Sequence, residues 1–362
     1  MQDRDYMQLA IDMARSALGQ TSPNPAVGAV VVKNGQVTGL GAHLRAGEPH
    51  AEVHALKMAG EKANGGVLYV TLEPCSHYGK TPPCADLVMK SGIRKVFVAS
   101  TDPNPLVCGK GIARLKEAGI EVQTGLLEEE ANKINEVFFH HIKTGLPFVT
   151  LKTAMTFDGK ISTASGESKW ITGSEARADV QQLRHRHDAI MVGIGTVIQD
   201  NPSLTARIPG GGKNPIRIIL DSKLLIPLTS RLLNDKEASV WVIAGRAHDR
   251  EKASDLRGLG AEVIEMEGSR PAVIPLLKEL SRRGITSLFV EGGAEVHGSF
   301  LKEQAFQQII AYMAPKLFGG RDARTAFGGE GISRMADAAM VEFTDISKVG
   351  SDIRITAKPA RR

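Results

Sequence analysis

His50, Glu52, Cys75 and Cys84 have the types and spacing to do chemistry together. His50-Ala51-Glu52 stands at the start of a helical stretch, while Pro74-Cys75 and Cys84 flank a loop between a strand-like run and the next helix. One imidazole and two thiolates supply three donors to a tetrahedral zinc ion and leave the fourth position open to water, the pattern of a catalytic centre. Zinc suits this borderline-soft, redox-silent donor set. Coordination lowers the pKa of water from about 15.7 to about 7, on the order of 12 kcal/mol at about 1.36 kcal/mol per unit. Two positions apart on a regular helix, His50 and Glu52 would diverge by about 200°. Both reach one centre if the metal lies off the helix's amino end. There Glu52 can take a proton from water and pass it to a leaving amine, a shuttle worth about 10²–10⁴ in rate. The same helix end favours thiolate charge.

Neighbouring residues offer competing readings. His50 and His54 in His-Ala-Glu-Val-His resemble a zincin pattern, but the carboxylate falls one residue late, so His54 is expected to be an ordinary packed or solvated helix residue. His77 is a candidate substitute ligand or substrate contact, and Cys108 is expected to be inert. The bland reading of Cys75 and Cys84 is a loop disulfide or two small buried side chains; His50-x-Glu52 upstream and Pro74 alongside weigh against it.

These residues need a scaffold, and the periodicity supplies one. Tyr6, Leu9, Ala10, Met13 and Ala17 recur at helical spacing. Ala26 to Val32 is a buried-strand run, Asn34-Gly35 is a hairpin signal, and a second strand runs from Val37 to Gly41. Helix then alternates with strand: Ala51 to Gly60, Val67 to Leu72, Ala85 to Gly92, Val96 to Ser100, Ile112 to Gly119 and Glu121 to Gln123. This is an α/β layered domain with a mixed sheet. One closing helix is expected over Glu128 to Ile142, and Lys143-Thr144-Gly145-Leu146-Pro147 combines a helix stop with a chain breaker. The boundary is placed there, giving domains 1–145 and 146–362. Further strands are expected at Phe148 to Lys152, Ala189 to Gly193, Ile216 to Asp221, Val240 to Ala244, Ser287 to Glu291 and Gln308 to Met313, a second α/β domain.

At 362 residues, two domains are the soft expectation. A composition 42% hydrophobic and 23% charged excludes a disordered or fibrous chain. No run approaches the ~18 apolar residues of a membrane span, and Asp3, Asp5 and Asp12 interrupt the start as no signal peptide would, so a cytoplasmic location is expected. Three cysteines are too few for a disulfide framework and normal for a reducing compartment. A net charge of +5 suits phosphorylated small molecules as well as nucleic acid, but 5% aromatics leave few platforms for stacking unpaired bases.

The second half carries two glycine clusters. Gly193-Ile194-Gly195 follows a strand, but its third glycine position is Ile198, so the ordinary dinucleotide fingerprint is weak. Gly292-Gly293-Ala294-Glu295-Val296-His297-Gly298-Ser299 follows the strand Ser287 to Glu291 and opens a helix, where backbone amides can approach phosphate. A plain tight turn is the alternative.

His-x-Glu followed by Pro-Cys and a later Cys resembles the zinc-dependent cytidine-deaminase-like superfamily, in which water attacks an amidine carbon and ammonia leaves. The usual Pro-Cys-x-x-Cys is here stretched from Pro74-Cys75 to Cys84, a departure that argues against the nucleic-acid deaminases. With Pro23-Asn24-Pro25-Ala26-Val27-Gly28 and Gly47-Glu48-Pro49 before His50, the chain resembles the bifunctional riboflavin-biosynthesis deaminase/reductase family over essentially its whole length. Met155-Thr156-Phe157-Asp158-Gly159-Lys160, Ser165 to Thr172, Gly195-Thr196 with Asp200-Asn201-Pro202, and Glu291-Gly292-Gly293 resemble that family's dihydrofolate-reductase-like domain.

The resemblance implies zinc on His50, Cys75 and Cys84, Glu52 as proton shuttle, and Asn24 facing the pyrimidine. It implies NADPH contacts from Ala154, Trp170, Thr196, Asp200, Ser222 and the turn Gly293, Ala294, Glu295, Val296, His297, Gly298 and Ser299. Substrate contacts would come from Ser168, Arg184, Leu204, Arg207 and Glu291, the arginines being positive forks suited to a ribose phosphate. Lys152 or Asp200 is expected to assist proton movement as the ribose opens, Lys152 being otherwise a partner for a carboxylate.

The implied function is hydrolytic deamination of 2,5-diamino-6-ribosylamino-4(3H)-pyrimidinone 5′-phosphate, then NADPH reduction of the ribosyl to the ribityl chain. The implied partners are a small phosphorylated substrate and other copies of the chain, without nucleic acid or membrane. Two rivals stand beside it: a tRNA or nucleotide deaminase with an unrelated second half, indifferent to NADPH, and a zinc-stabilised binding module without catalysis, indifferent to loss of Glu52.

Overall fold

The computed structural model describes residues 1–76, 82–105 and 107–360, and the chain forms two compact units, one ending at Gly145 and the other beginning at Leu146. The first unit runs α1 (Asp3–Ser16), β1 (Gly28–Lys33), β2 (Gln36–Ala42), α2 (Ala51–Ala59), β3 (Val67–Leu72), α3 (Cys84–Lys90), β4 (Lys95–Ser100), α4 (Lys110–Glu117), β5 (Glu121–Thr124), α5 (Glu128–Ile134) and α6 (Glu136–Thr144). Its sheet has the order β2-β1-β3-β4-β5; β1 pairs antiparallel with β2 and β3, and β3, β4 and β5 are parallel.

The valine run of β1 is buried along its length because both faces of the strand are covered. Ala29 and Val31 pack with Ala51 and Ala55 of α2 and Leu115 of α4, whereas Val30 and Val32 pack with Tyr6, Ala10 and Ile11 of α1 and Ala131 of α5. Side chains alternating across the pleat thus make three layers, helix on sheet on helix. Asn34 and Gly35 both have positive φ, 50° and 74°, as the tight turn between β1 and β2 requires. Gly41 lets β2 meet α2 backbone to backbone: a Cβ there would stand 2.1 Å from the Ala51 carbonyl oxygen. That contact seats the first turn of α2.

The second unit runs β6 (Phe148–Thr156), α7 (Ser174–Arg186), β7 (Ala189–Gly193), α8 (Ile194–Asp200), β8 (Ile216–Leu220), α9 (Arg231–Asn234), β9 (Val240–Gly245), α10 (Arg250–Gly258), β10 (Glu262–Met266), α11 (Val273–Arg282), β11 (Ser287–Val290), α12 (Ala294–Lys302), β12 (Gln308–Ala314), β13 (Val341–Val349) and β14 (Asp352–Pro359). Its nine-stranded sheet has the order β10-β9-β8-β7-β11-β6-β12-β14-β13, parallel except for the antiparallel hairpin β13–β14 and its junction with β12. Ile190 and Val192 of β7 face a core with α7 and α10, while Ala189 and Met191 face one with α11 and α12. Burial on both faces explains the uninterrupted apolar strands.

Three expectations need correction. The closing helix is two helices, because Asn135 breaks it and spends its amide on Ala26: Oδ1 accepts from the Ala26 N–H at 2.8 Å and Nδ2 donates to the Ala26 carbonyl at 2.9 Å. The first strand of the second unit extends to Thr156, beyond Lys152. Strands β10, β13 and β14 have no counterpart in the sequence reading: β10 is a five-residue run bounded by charge, β13 loses its alternation at the bulge between Phe343 and Asp345, and β14 alternates Ile353, Ile355 and Ala357 with polar residues, a signal that the sequence reading passes over.

Candidate active sites

In the first unit, three ends meet. His50 caps α2, Cys75 lies three residues past the end of β3, and Cys84 opens α3. His50 Nδ1 is 3.2 Å from Cys84 Sγ and 3.6 Å from Cys75 Sγ, and the Cys84 N–H donates to Cys75 Sγ at 3.3 Å. The three donor atoms lie within 4.8 Å of one another, so one small cation can touch all three. Two helix amino ends, of α2 and α3, contribute positive potential where thiolate charge must sit. A donor set of one imidazole and two thiols, all free of disulfides, fits zinc.

The electrostatics follow from crowding. A hydrogen bond from the Cys84 side chain, opposed by burial and aided by His50, holds the Cys75 thiol below its ordinary range, and the same bond pushes the Cys84 thiol up. Contact with Cys75 raises His50 against its burial. Glu52, in the first turn of α2 and only 3% exposed, is pushed up to about 7 by burial, with the His50 charge opposing. Such a group can both take and give a proton near neutrality.

Asn24 joins this site through a residue absent from the sequence reading. Its Nδ2 lies 3.1 Å from His43 Nε2, His43 Nδ1 lies 3.2 Å from the Pro49 carbonyl, and the His43 ring meets the His50 ring edge-on at 5.2 Å. Burial lowers the His43 pKa. The neutral ring donates from Nδ1 and accepts the Asn24 amide at Nε2, which orients that amide. His43 had no motif to announce it. His54 is part-buried on α2 and outside the donor cluster, Cys108 is exposed, and His77 lies outside the described residues.

The second unit holds a cavity of about 1610 Å³ at the carboxyl ends of its parallel strands. That exceeds the roughly 300–1,000 Å³ of an ordinary small-molecule pocket and leaves room for two ligands. Ala154, Trp170, Thr196, Asp200, Ser222, Gly293, Ala294, Glu295, Val296, His297 and Ser299 line it, as do Ser168, Arg184, Leu204, Arg207 and Glu291. Gly298 does not: it turns inward, where a Cβ would stand 2.2 Å from the Gly328 carbonyl oxygen. His297 reaches the wall with its ring nitrogens turned to the Ala326 and Val290 carbonyls, at 3.1 and 3.2 Å.

At the cavity wall, Arg184 forks onto Glu291, Nε to Oε1 at 2.6 Å and Nη2 to Oε2 at 2.9 Å, and donates to the Thr205 carbonyl at 3.0 Å. Lys152 Nζ stands 3.8 Å from Glu291 Oε2. Burial alone would raise Glu291, but Arg184 and Lys152 hold it at about 2. For Lys152, burial outweighs Glu291 and lowers the pKa. Arg207 Nη1 donates to Thr205 Oγ1 at 3.2 Å beside this group, and Asp200 accepts from Ser168 Oγ at 3.2 Å. Trp170, exposed on the rim, carries the Arg177 guanidinium 4.7 Å from its ring centre.

Three further wall residues, Ser162, Arg321 and Arg324, carry no signal in the sequence, and Lys160 joins them from the end of the motif Met155 to Lys160, which by itself assigns it no role. Ser162 Oγ is buried with no hydrogen-bond partner among the described residues. A buried hydroxyl left open on a cavity wall fits a site completed by a polar ligand. Glycine amides at the start of α12 and the cations Lys160, Arg207, Arg321 and Arg324 fit a phosphorylated dinucleotide such as NADPH.

Two family models match the chain: "RibD C-terminal domain" over residues 147–355 and "Cytidine and deoxycytidylate deaminase zinc-binding region" over residues 1–100. The riboflavin biosynthesis protein RibD of Bacillus amyloliquefaciens is 54% identical over 354 residues, covering 98% of this chain and 95% of that protein. The protein of the same name from Escherichia coli is 41% identical, covering 98% of each. Among solved structures, Acinetobacter baumannii RibD is 42% identical with a TM-score of 0.89, covering 99% of each chain. A diaminohydroxyphosphoribosylaminopyrimidine deaminase/5-amino-6-(5-phosphoribosylamino)uracil reductase from Thermotoga maritima is 36% identical with a TM-score of 0.88, covering 99% of this chain and 98% of its own.

Proposed function

The chain belongs to the RibD family of riboflavin-biosynthesis proteins, and from that premise we propose which of its residues carry each half of a deaminase–reductase reaction. It is a bifunctional enzyme acting on a small phosphorylated pyrimidine, with a cytidine-deaminase-like first domain and a reductase second domain. Relatives matching over 98% of the chain leave no place for an unrelated second half.

The first domain, residues 1–145, deaminates the diaminopyrimidinone phosphate. His50, Cys75 and Cys84 hold zinc, which when bound supplies an activated water for attack at the amidine carbon. Asn24, its amide fixed by His43, binds the ring. Glu52, shielded from bulk water, accepts the water's proton at its carboxylate and returns it to the departing amine nitrogen. The supporting observation is the convergence of His50, Cys75 and Cys84 with Glu52 on the adjoining helical turn.

The second domain, residues 146–362, reduces the opened ribosyl chain, NADPH when bound supplying the hydride. The α12 turn and Ala154, Trp170, Thr196, Asp200 and Ser222 hold the cofactor; Arg207 meets the phosphate of the substrate, while Ser168, Leu204, Arg184 and Glu291 face its sugar, the Arg184 fork being spent on Glu291. Lys152, kept in place by Glu291, gives a proton from Nζ to the sugar oxygen as the ring opens. Asp200, already bonded to Ser168, orients that serine.

Two further parts of this reading have their own support. The chain works as a homo-oligomer, because the edge hairpin β13–β14 leaves Phe343, Ile346 and Ile353 exposed. It works in the reducing cytoplasm, where its free cysteines stay available as ligands. No helix among the described residues is long and apolar enough to cross a membrane.

Incubating the diaminopyrimidinone phosphate with and without NADPH, while following ammonia and the nicotinamide absorbance together, tests the assignment. With Glu52→Ala, ammonia release should vanish while NADPH oxidation persists on the already deaminated intermediate. Loss of both activities in a folded variant overturns the division of labour.

A further inference from the structure

Glu73 is buried at the end of β3, two residues before Cys75, and its carboxylate collects four backbone N–H groups from one distant segment. Oε2 accepts from Gly109 at 2.9 Å and from Asp102 at 3.3 Å; Oε1 accepts from Gly111 at 2.9 Å and from Ile112 at 3.2 Å. Three of those amides belong to the cap and first turn of α4, which a helix leaves without partners of its own. Glu73 therefore caps a helix that lies outside its own neighbourhood in sequence, and the carboxylate suits the positive end of that helix.

The contact continues along the chain. Gly111 sits against the residue after Glu73, so closely that a Cβ would stand 2.0 Å from the Pro74 carbonyl oxygen. Arg114, one turn further on, donates to the Ser76 carbonyl at 3.4 Å and pairs with Asp86 of α3 at 2.8 Å. The start of α4 thus grips residues 73, 74 and 76, and Cys75 stands between them.

We propose that Glu73 is the positioning residue of the metal centre: by capping α4 it fixes the strand end that presents Cys75 to the ion. The proposal rests on the zinc reading above and adds a residue outside the donor set. Groups that orient a ligand in this way typically set metal affinity by 10–100-fold. A glutamine in place of Glu73 would turn an NH₂ group toward N–H donors and lose the charge that suits the helix end.

The test uses the full-length chain and zinc itself. Zinc affinity is measured by competition with a chromophoric chelator, and cobalt substitution reports thiolate coordination through its charge-transfer absorbance. Glu73→Gln should weaken zinc 10–100-fold and diminish the cobalt–thiolate band. Leu115→Ala, which opens a hole in the buried side of the same helix but leaves its cap intact, should stay within about twofold of wild type. Gly111→Ala pushes on Pro74 from the other side and should weaken zinc as Glu73→Gln does, which keeps the test available if the glutamine variant does not fold. Wild-type affinity in Glu73→Gln or in Gly111→Ala, or equal weakening in Leu115→Ala, overturns the proposal. A wild-type chain that binds no zinc overturns the zinc reading and the proposal with it, and differs from the other outcomes because no variant is needed to see it.

Discussion

Lys152 and Glu291 illustrate how far one residue's chemistry depends on company. Glu291 stays ionised despite burial because two cations share it, whereas Lys152 is drawn toward its neutral form because burial outweighs that one shared carboxylate. As a proton donor, Lys152 acts in its charged form, so its activity is lost as pH rises through its pKa. Since that pKa is lowered, the alkaline limb of reductase kcat/KM should fall below the ordinary lysine range. Lys152→Met should cost about 10²–10⁴ in kcat and remove that limb, with NADP⁺ binding retained; an unchanged pH profile would assign the limb to another group. At this scale the sequence was most informative where few residue types can do a job. Imidazole and thiolate at metal-ligand spacing single out His50, Cys75 and Cys84, which the fold brings together. His43, Ser162, Arg321 and Arg324 belong to ordinary types whose role depends on what the fold sets beside them.

Among elements, the junction of α5 and α6 acts on the loop that carries Asn24. Asn135 holds both sides of the Ala26 peptide, two residues from Asn24, and is itself buried. Asn135→Ala would strand a buried N–H and C=O, each costing about 1–3 kcal/mol. Deamination should show a raised KM with kcat less affected, and reduction should be unchanged; equal kinetics in both half-reactions would free Asn24 from this clamp. The helix break escapes a reading by periodicity because Phe138, Phe139 and Ile142 continue the apolar pattern across it. Conversely, Val67–Leu72 and Ala189–Gly193 are legible to the residue, being short, β-branched or apolar throughout, and covered on both faces. Strand β13 was not legible, since an exposed edge carrying Glu342, Asp345 and Lys348 imposes no apolar alternation.

On the scale of the whole molecule, the nine-stranded sheet ends in that hairpin, whose unpaired edge and exposed Phe343 and Ile346 invite a second sheet or surface. Phe343→Glu combined with Ile346→Lys should shift the mass measured by light scattering toward that of one chain. An unchanged mass distribution would place any self-association elsewhere.

The donors of the metal centre have a consequence for how the protein is made. All three have been synthesised once Cys84 emerges from the ribosome, yet β3 is flanked in the sheet by β4, and the amides that hold Glu73 come from residues 102 to 112. A nascent chain that has just passed Cys84 carries every ligand while lacking the strand and the helix that set them in place. Loading therefore waits on roughly thirty further residues of translation.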